Sequence, residues 1–110
     1  MDKITYEDFA KLQIVIGLIT AVEIVPDSNK LLKLSVEVGE EAPRQILSGI
    51  RKYFADPQSL VGVRTPFLIN LDTKVIAGLE SQGMILAASS ADNFSLLRIE
   101  NELPAGSQIR

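Results

Sequence analysis

An all-β fold, a small closed barrel of short strands with short helices between them, is predicted for this chain by three observations. The stretch from Gln13 to Val25 is so rich in β-branched residues (Ile14, Val15, Ile16, Ile19, Val22, Ile24, Val25) that strand outcompetes helix. A second segment alternates with period two, placing Leu32, Leu34, Val36 and Val38 on one face and Lys33, Ser35 and Glu37 on the other. Turn-forming clusters then separate the remaining apolar runs at short intervals. The 110 residues suffice for one core and are too few for two, so residues 1–110 are read as one domain.

Each element follows in chain order. Thr5 with Asp8 is a weak capping box for a short helix, whose Phe9 and Leu12 are expected to face the core. Gly17 inside the first strand predicts a bend or bulge. Pro26-Asp27-Ser28-Asn29 is a turn by composition, and Gly39 through Pro43 another, leading to a third strand around Arg44–Leu47. Asp56-Pro57 reads as an N-cap with proline at the first helical position, and Gly62 as the stop, with Leu60 and Val61 turned inward. Arg64–Leu71 is a fourth strand in which Pro66 points to an edge or an irregular start. Met84–Ala88 and Ser95–Ile99 are two further short strands, and Leu103-Pro104-Ala105-Gly106 is a terminal turn. Short strands with one helix between the third and fourth is the order of an OB-fold, a five-stranded Greek-key barrel, here with additional C-terminal strands. Spacing alone leaves other small β-barrels open.

Composition removes several function classes. The chain has no Cys and no His, so the usual zinc and transition-metal ligands are missing, and no metal or cofactor is expected. Ser-His-Asp and Cys-His nucleophiles are impossible, and no glycine-rich phosphate-binding motif occurs. Ser48 and Lys52 stand four apart, a spacing that more often marks a solvated surface pair than a nucleophile and its base. A non-catalytic role is therefore expected. No apolar run approaches the roughly 20 residues that cross a bilayer, and the N-terminus lacks a signal-peptide core, which predicts a cytoplasmic protein. Fourteen acidic against eleven basic residues give a formal net charge of −3. A net-acidic chain can bind nucleic acid only if its cations gather on one face.

The order of short motifs resembles a known family. They run from Tyr6-Glu7-Asp8-Phe9-Ala10-Lys11-Leu12 through Lys30-Leu31, Val36-Glu37-Val38-Gly39 and Arg44-Gln45-Ile46-Leu47-Ser48-Gly49-Ile50. Leu60-Val61-Gly62 and Asn70-Leu71 follow, then Glu80-Ser81-Gln82-Gly83-Met84-Ile85-Leu86-Ala87-Ala88 and Leu103-Pro104-Ala105-Gly106. In this order and spacing they resemble the tRNA-binding domain at the C-terminus of methionyl-tRNA synthetase, which also occurs as stand-alone proteins and as a separate synthetase subunit. The resemblance implies an OB-fold that binds tRNA by shape and backbone contacts, commonly as a homodimer, and that can partner the synthetase catalytic region. It implies RNA-facing positions at Lys30, Ser48, Asn70, Ser81 and Met84. Gly49 and Gly83 would let backbone approach the ligand, and Arg51, Lys52 and Lys74 would add charge.

The chain also departs from the family pattern. Val15 stands where the family has arginine, Val25-Pro26 where it has His-Pro, and Asp72 through Ala77 where further basic residues usually follow. Losing two or three phosphate contacts predicts weak binding, with Lys30, Lys33, Arg44, Arg51, Lys52 and Arg64 left to form a patch. Aromatic residues are few, there is no Trp, and most are expected in the core, which points away from a general single-strand binder. Two other readings stand beside the tRNA-binding module: a homodimerisation module of a synthetase with reduced RNA binding, and a chaperone-like peptide binder on the same fold.

Overall fold

The computed structural model describes residues 1–110. Its organising element is the long first strand, β1 (Ile14–Ile24), which serves two neighbours in succession. Ile14 to Leu18 pairs antiparallel with β4 (Arg64–Leu68), and Leu18 to Ile24 pairs antiparallel with β2 (Leu32–Glu37). The two partners lie on opposite edges of β1, and the register of its pairing with β2 shifts between Ile19 and Ala21. The bulge therefore falls near Thr20, whose hydroxyl donates to the Ser35 carbonyl, and not at Gly17 as the sequence suggested. Gly17 answers a packing need. A Cβ there would lie 2.5 Å from the Phe67 ring and 2.6 Å from Val36, both of them fully buried.

The main sheet runs β3-β2-β1-β4-β7, with β3 at Arg44–Ser48 and β7 at Met84–Ile85. Val15, Ile19, Val22, Leu34, Val36, Ile46, Phe67 and Ile85 meet inside it, and Leu60 plugs one end. Each such side chain, fully removed from water, contributes about 1.5–3 kcal/mol. The two edge strands meet through Ser81 and Gln82. The Gln82 amide donates to the Gln45 carbonyl at 2.8 Å, and the Gln82 side-chain oxygen accepts from the Gln45 amide at 3.1 Å. Beside them the Leu47 amide donates to the Ser81 hydroxyl at 3.0 Å. These bonds close the barrel.

Several expectations are corrected. Pro66 does not mark an edge: β4 lies between β1 and β7, and Pro66 is buried opposite Ile16. The Ile16 amide and carbonyl both bond to the C-terminal segment, at Ser107 and Gly106, so Ile16 and Pro66 exchange no hydrogen bonds; on its other side the Pro66 carbonyl accepts from the Leu86 amide, and only the return bond is missing. The helical segment after Asp56 is a single 3-10 turn, Pro57–Leu60, with the Asp56 carboxylate accepting from the Gln58 amide. Val61 is 44% exposed, because the chain leaves the turn extended and at Gly62 resumes pairing with Ile19. At the N-terminus the capping box of α1 (Tyr6–Ala10) is complete, yet Phe9 is only half-buried and Leu12 is exposed. The strands have already filled the core, so the helix lies outside the barrel.

Two hairpins differ from the reading above. β4 ends at Leu68, and the run after it folds as β5 (Lys74–Ile76) and β6 (Leu79–Ser81), which the sequence did not reveal. Their turn holds Ala77 at φ 51 and Gly78 at φ 79, and an alanine in the position that usually carries Asn or Asp leaves no turn signal. Met84–Ala88 divides into β7, whose pairing with β4 extends to the Leu86 amide on the Pro66 carbonyl, and β8 (Ala87–Ser89), which has a different partner. β8 then pairs with β9 (Phe94–Leu96), which begins one residue earlier than expected and ends sooner. No helix is long and apolar enough to cross a membrane.

Candidate nucleic-acid interface

The sequence-predicted site residues gather in two places. The first is a corner where the β1–β2 turn, the end of β3 and a 3-10 turn at Arg51–Tyr53 meet. The Ser28 hydroxyl accepts from the Lys30 and Leu31 amides at 3.2 and 3.1 Å, which fixes the loop. Arg51 fastens the same loop twice: its amide donates to the Lys30 carbonyl at 3.2 Å, and its guanidinium to the Ser28 carbonyl at 2.6 Å. Lys30 is exposed at this frame. The Lys52 ammonium lies 5.0 Å from the centroid of the Tyr53 ring. Ser48 is half-buried at the end of β3 beside Gly49. A Cβ on Gly49 would meet nothing within 4 Å, so the fold does not require glycine there.

The second place is a groove of about 430 Å³ between Leu47 of β3 and the β5–β6 hairpin. Lys74, Ser81, Gly83 and Met84 line it, with Leu71 and Ile76 adding apolar wall and Asp72 an opposing charge. Met84 is 47% exposed and presents its thioether outward. Ser81 is only 4% exposed, and its hydroxyl also donates to the Gly83 carbonyl at 3.2 Å. Gly83 adopts φ 150, and a Cβ there would stand 3.0 Å from the Leu68 carbonyl oxygen. Asn70 lies outside the groove lining: its side-chain oxygen accepts from the Gln13 amide at 2.8 Å, and its amide group donates to the Lys11 carbonyl at 2.6 Å. Asn70 thus staples the helix-to-β1 junction. The internal hydrogen bonds of Ser81 and Asn70 serve the barrel and the N-terminal helix.

Charge pairing sorts the cations. Lys33 bonds Glu23 at 2.9 Å, Arg44 bonds Glu40 at 2.8 Å, and Arg64 bonds Glu102 at 3.1 Å. Half of the patch expected from the sequence is therefore neutralised by carboxylates, whereas Lys30, Arg51, Lys52 and Lys74 have none in reach. Val15 is buried in the core, so an RNA-facing cation at that place would have to sit inside this barrel, and its absence removes nothing from the surface.

Arg44 was counted as a surface cation by sequence and proves to be a clamp. Its Nε and Nη2 donate to the two Glu40 oxygens, both at 2.8 Å, and its Nη1 donates to the carbonyls of Ile69 at 2.6 Å and Gln82 at 3.0 Å. One guanidinium thus holds both ends of the segment that walls the groove. The Arg44 hydrogen bonds hold the Glu40 carboxyl below the usual glutamate range, and Glu40 in turn raises Arg44. The Glu40–Arg44 spacing across the Gly39–Pro43 turn was the one sequence signal for this pair.

A five-stranded antiparallel barrel with this topology is an OB-fold, a class of small binding modules. Its cationic corner and half-apolar groove lie at the surface. The chain belongs to the family described as "Putative tRNA binding domain", which matches residues 14–108. It is 49% identical over 108 residues to a methionine–tRNA ligase of Methanospirillum hungatei, covering 98% of this chain and 16% of that protein. It is 41% identical over 109 residues to the methionine–tRNA ligase of Caldanaerobacter subterraneus, covering 99% and 17%. The chain thus spans about a sixth of the length of the curated relatives it matches. Among solved structures it is similar to a MetRS-related protein from Pyrococcus horikoshii, at 33% identity and TM-score 0.92 with both chains covered in full. The chaperone CsaA from Bacillus anthracis is also similar, at 29% identity and TM-score 0.86, covering 99% of this chain and 100% of that one.

Proposed function

We propose that this domain is a non-catalytic tRNA-binding module that holds folded tRNA through its phosphate backbone and acts in the cytoplasm. It works alone or beside the catalytic region of a methionyl-tRNA synthetase, where it raises the local concentration of tRNA. The observation that carries the reading is the cationic corner: Lys30, Arg51 and Lys52 share one rigid frame and have no carboxylate partners. With Lys74 across the barrel, three or four phosphate contacts are available. They give a slope of log affinity against log salt of roughly −2 to −4, modest beside that of strong nucleic-acid binders. Ser48, Gly49 and Met84 complete the contact face.

A homodimer is the assembly that fits best, since Ile4, Tyr6, Leu12 and Ile109 expose apolar surface around the outer helix. The peptide-binding alternative draws support from the similarity to CsaA and from the apolar wall of the groove, and it predicts suppression of client aggregation at stoichiometric amounts. The deciding experiment titrates labelled tRNA across a salt series with wild type and Lys30→Ala. Binding whose slope becomes shallower by about 0.7–0.9 in Lys30→Ala supports the proposal. No binding at low salt by a protein that light scattering shows as a stable dimer refutes it in favour of an assembly module.

A further inference from the structure

We propose that Tyr53 stacks a single unpaired nucleobase of the bound RNA, while Lys52 moves from the tyrosine ring to the adjoining phosphate. The inference rests on the tRNA-binding reading above and deepens it: the ligand must offer an unpaired loop or terminal nucleotide beside its folded backbone.

Tyr53 is 44% exposed, yet one face of its ring is packed against another aromatic ring. Phe94 of β9 stacks on it with centroids 4.0 Å apart and planes within 4°, and Phe54 meets Phe94 edge-on at 6.0 Å and 89°. The C-terminal hairpin therefore backs the tyrosine from one side. An aromatic ring already fixed in place loses little conformational freedom when a ligand arrives.

The other face is met by the exposed side chain of Lys52. Phe94 fills one face, so the Lys52 ammonium over the ring must lie on the opposite one. A cation–π contact at an exposed site is weaker than a base–aromatic stack. Exchanging one for the other is favourable, and it frees the ammonium to meet a phosphate.

Local charge sets the direction of the strand. Arg51 and Lys30 lie on one side of Tyr53, within the same 3-10 turn and the loop it fastens. On the other side a recess of about 430 Å³ is lined by Tyr53, Phe54, Asp92, Asn93, Phe94 and Ser95. Asp92 repels phosphate, so the backbone follows Lys30 and Arg51 and runs away from the recess. A base that stacks on the open face of Tyr53 is unpaired, because a base inside a duplex already has both faces stacked.

The test uses the full chain with wild type, Tyr53→Phe, Tyr53→Leu and Lys52→Gln. Affinity for tRNA is measured across a salt series, with a thermal melt to set a temperature at which every variant is folded. Tyr53→Phe should bind like wild type, and Tyr53→Leu should weaken binding about 5- to 100-fold with an unchanged salt slope. Lys52→Gln should make the slope shallower by about 0.7. A second measurement needs no variant: a short oligoribonucleotide carrying 2-aminopurine should change its emission on binding wild type. If tRNA binds with the expected salt slope but 2-aminopurine emission is unmoved, or Tyr53→Leu binds as wild type does, the stack is overturned and the phosphate reading stands. If wild type binds no tRNA at all, both readings fall together. Loss of a protein–protein contact in Tyr53→Leu with tRNA binding intact would reassign the aromatic shelf to a protein partner.

Discussion

Replacing Ser81 by alanine separates the structural from the RNA-contacting reading of the segment that most clearly marks the family. The Ser81 hydroxyl is 4% exposed, accepts from the Leu47 amide at 3.0 Å and donates to the Gly83 carbonyl at 3.2 Å. Removing it leaves the amide of a buried β3 residue without a partner, at the point where β3 has no further strand beyond it. An orphaned buried donor costs about 1–3 kcal/mol, and the lost bond to Gly83 falls within the same range because its carbonyl can turn to solvent. For a domain of this size each kcal/mol lowers the melting temperature by roughly 4–8 °C, so a fall of roughly 5–20 °C is expected. Differential scanning calorimetry gives the shift. Anisotropy with labelled tRNA, well below both melting temperatures, should then find affinity within about twofold of wild type, since the hydroxyl points into the closure. An unshifted melt combined with a tenfold or greater loss of tRNA affinity would refute this reasoning and return Ser81 to the RNA face.

Gly17→Ala should cost about 3 kcal/mol or more in a urea titration, because its Cβ meets Phe67 and Val36 at 2.5 and 2.6 Å and neither buried side chain can retreat. Gly49→Ala should leave urea stability within about 0.5 kcal/mol, since its Cβ enters open space, while tRNA affinity falls if backbone approaches RNA there. Unchanged binding would remove Gly49 from the interface. For the Glu40–Arg44 clamp, the folded carboxyl titrates below its unfolded value, so its contribution is complete above the ordinary glutamate value of about 4.3 and disappears as pH falls through the lower folded one. Glu40→Gln should therefore be less stable than wild type at neutral pH and approach it in acid. A gap that persists in acid once the Glu40 carboxyl is protonated in the folded protein would show that the clamp acts through shape and not charge.

The parts of this protein legible in its sequence are those governed by local chemistry. Period-two alternation in Leu32–Val38 and β-branching in Ile14–Val25 specify strands because each residue's preference acts on its own backbone and its immediate neighbours. Thr5 with Asp8, and Asp56 with Pro57, act within one turn of chain, and both caps form. The order of motifs was enough to give the family and the barrel. The β5–β6 hairpin was missed because its turn carries Ala77 in a conformation that alanine does not advertise.

What a polar side chain does could not be read in this way, since its partners lie far along the chain. Asn70 reaches back to Lys11 and Gln13, Ser81 to Leu47, and Arg44 forward to Ile69 and Gln82. Only folding shows whether a carboxylate, a carbonyl or open water meets a given donor. The lysines and arginines counted equally in sequence thus divide in space into clamps such as Arg44 and the half-buried Arg51, paired charges, and the exposed lysines Lys30 and Lys52. The sequence by itself determined that this is a five-stranded tRNA-binding-family barrel; the tertiary structure alone decided which of its marker residues hold the barrel shut and which remain open to a ligand. The physical reason is that burial and hydrogen-bond satisfaction are properties of distant neighbours, whereas strand and turn propensities belong to the residues themselves.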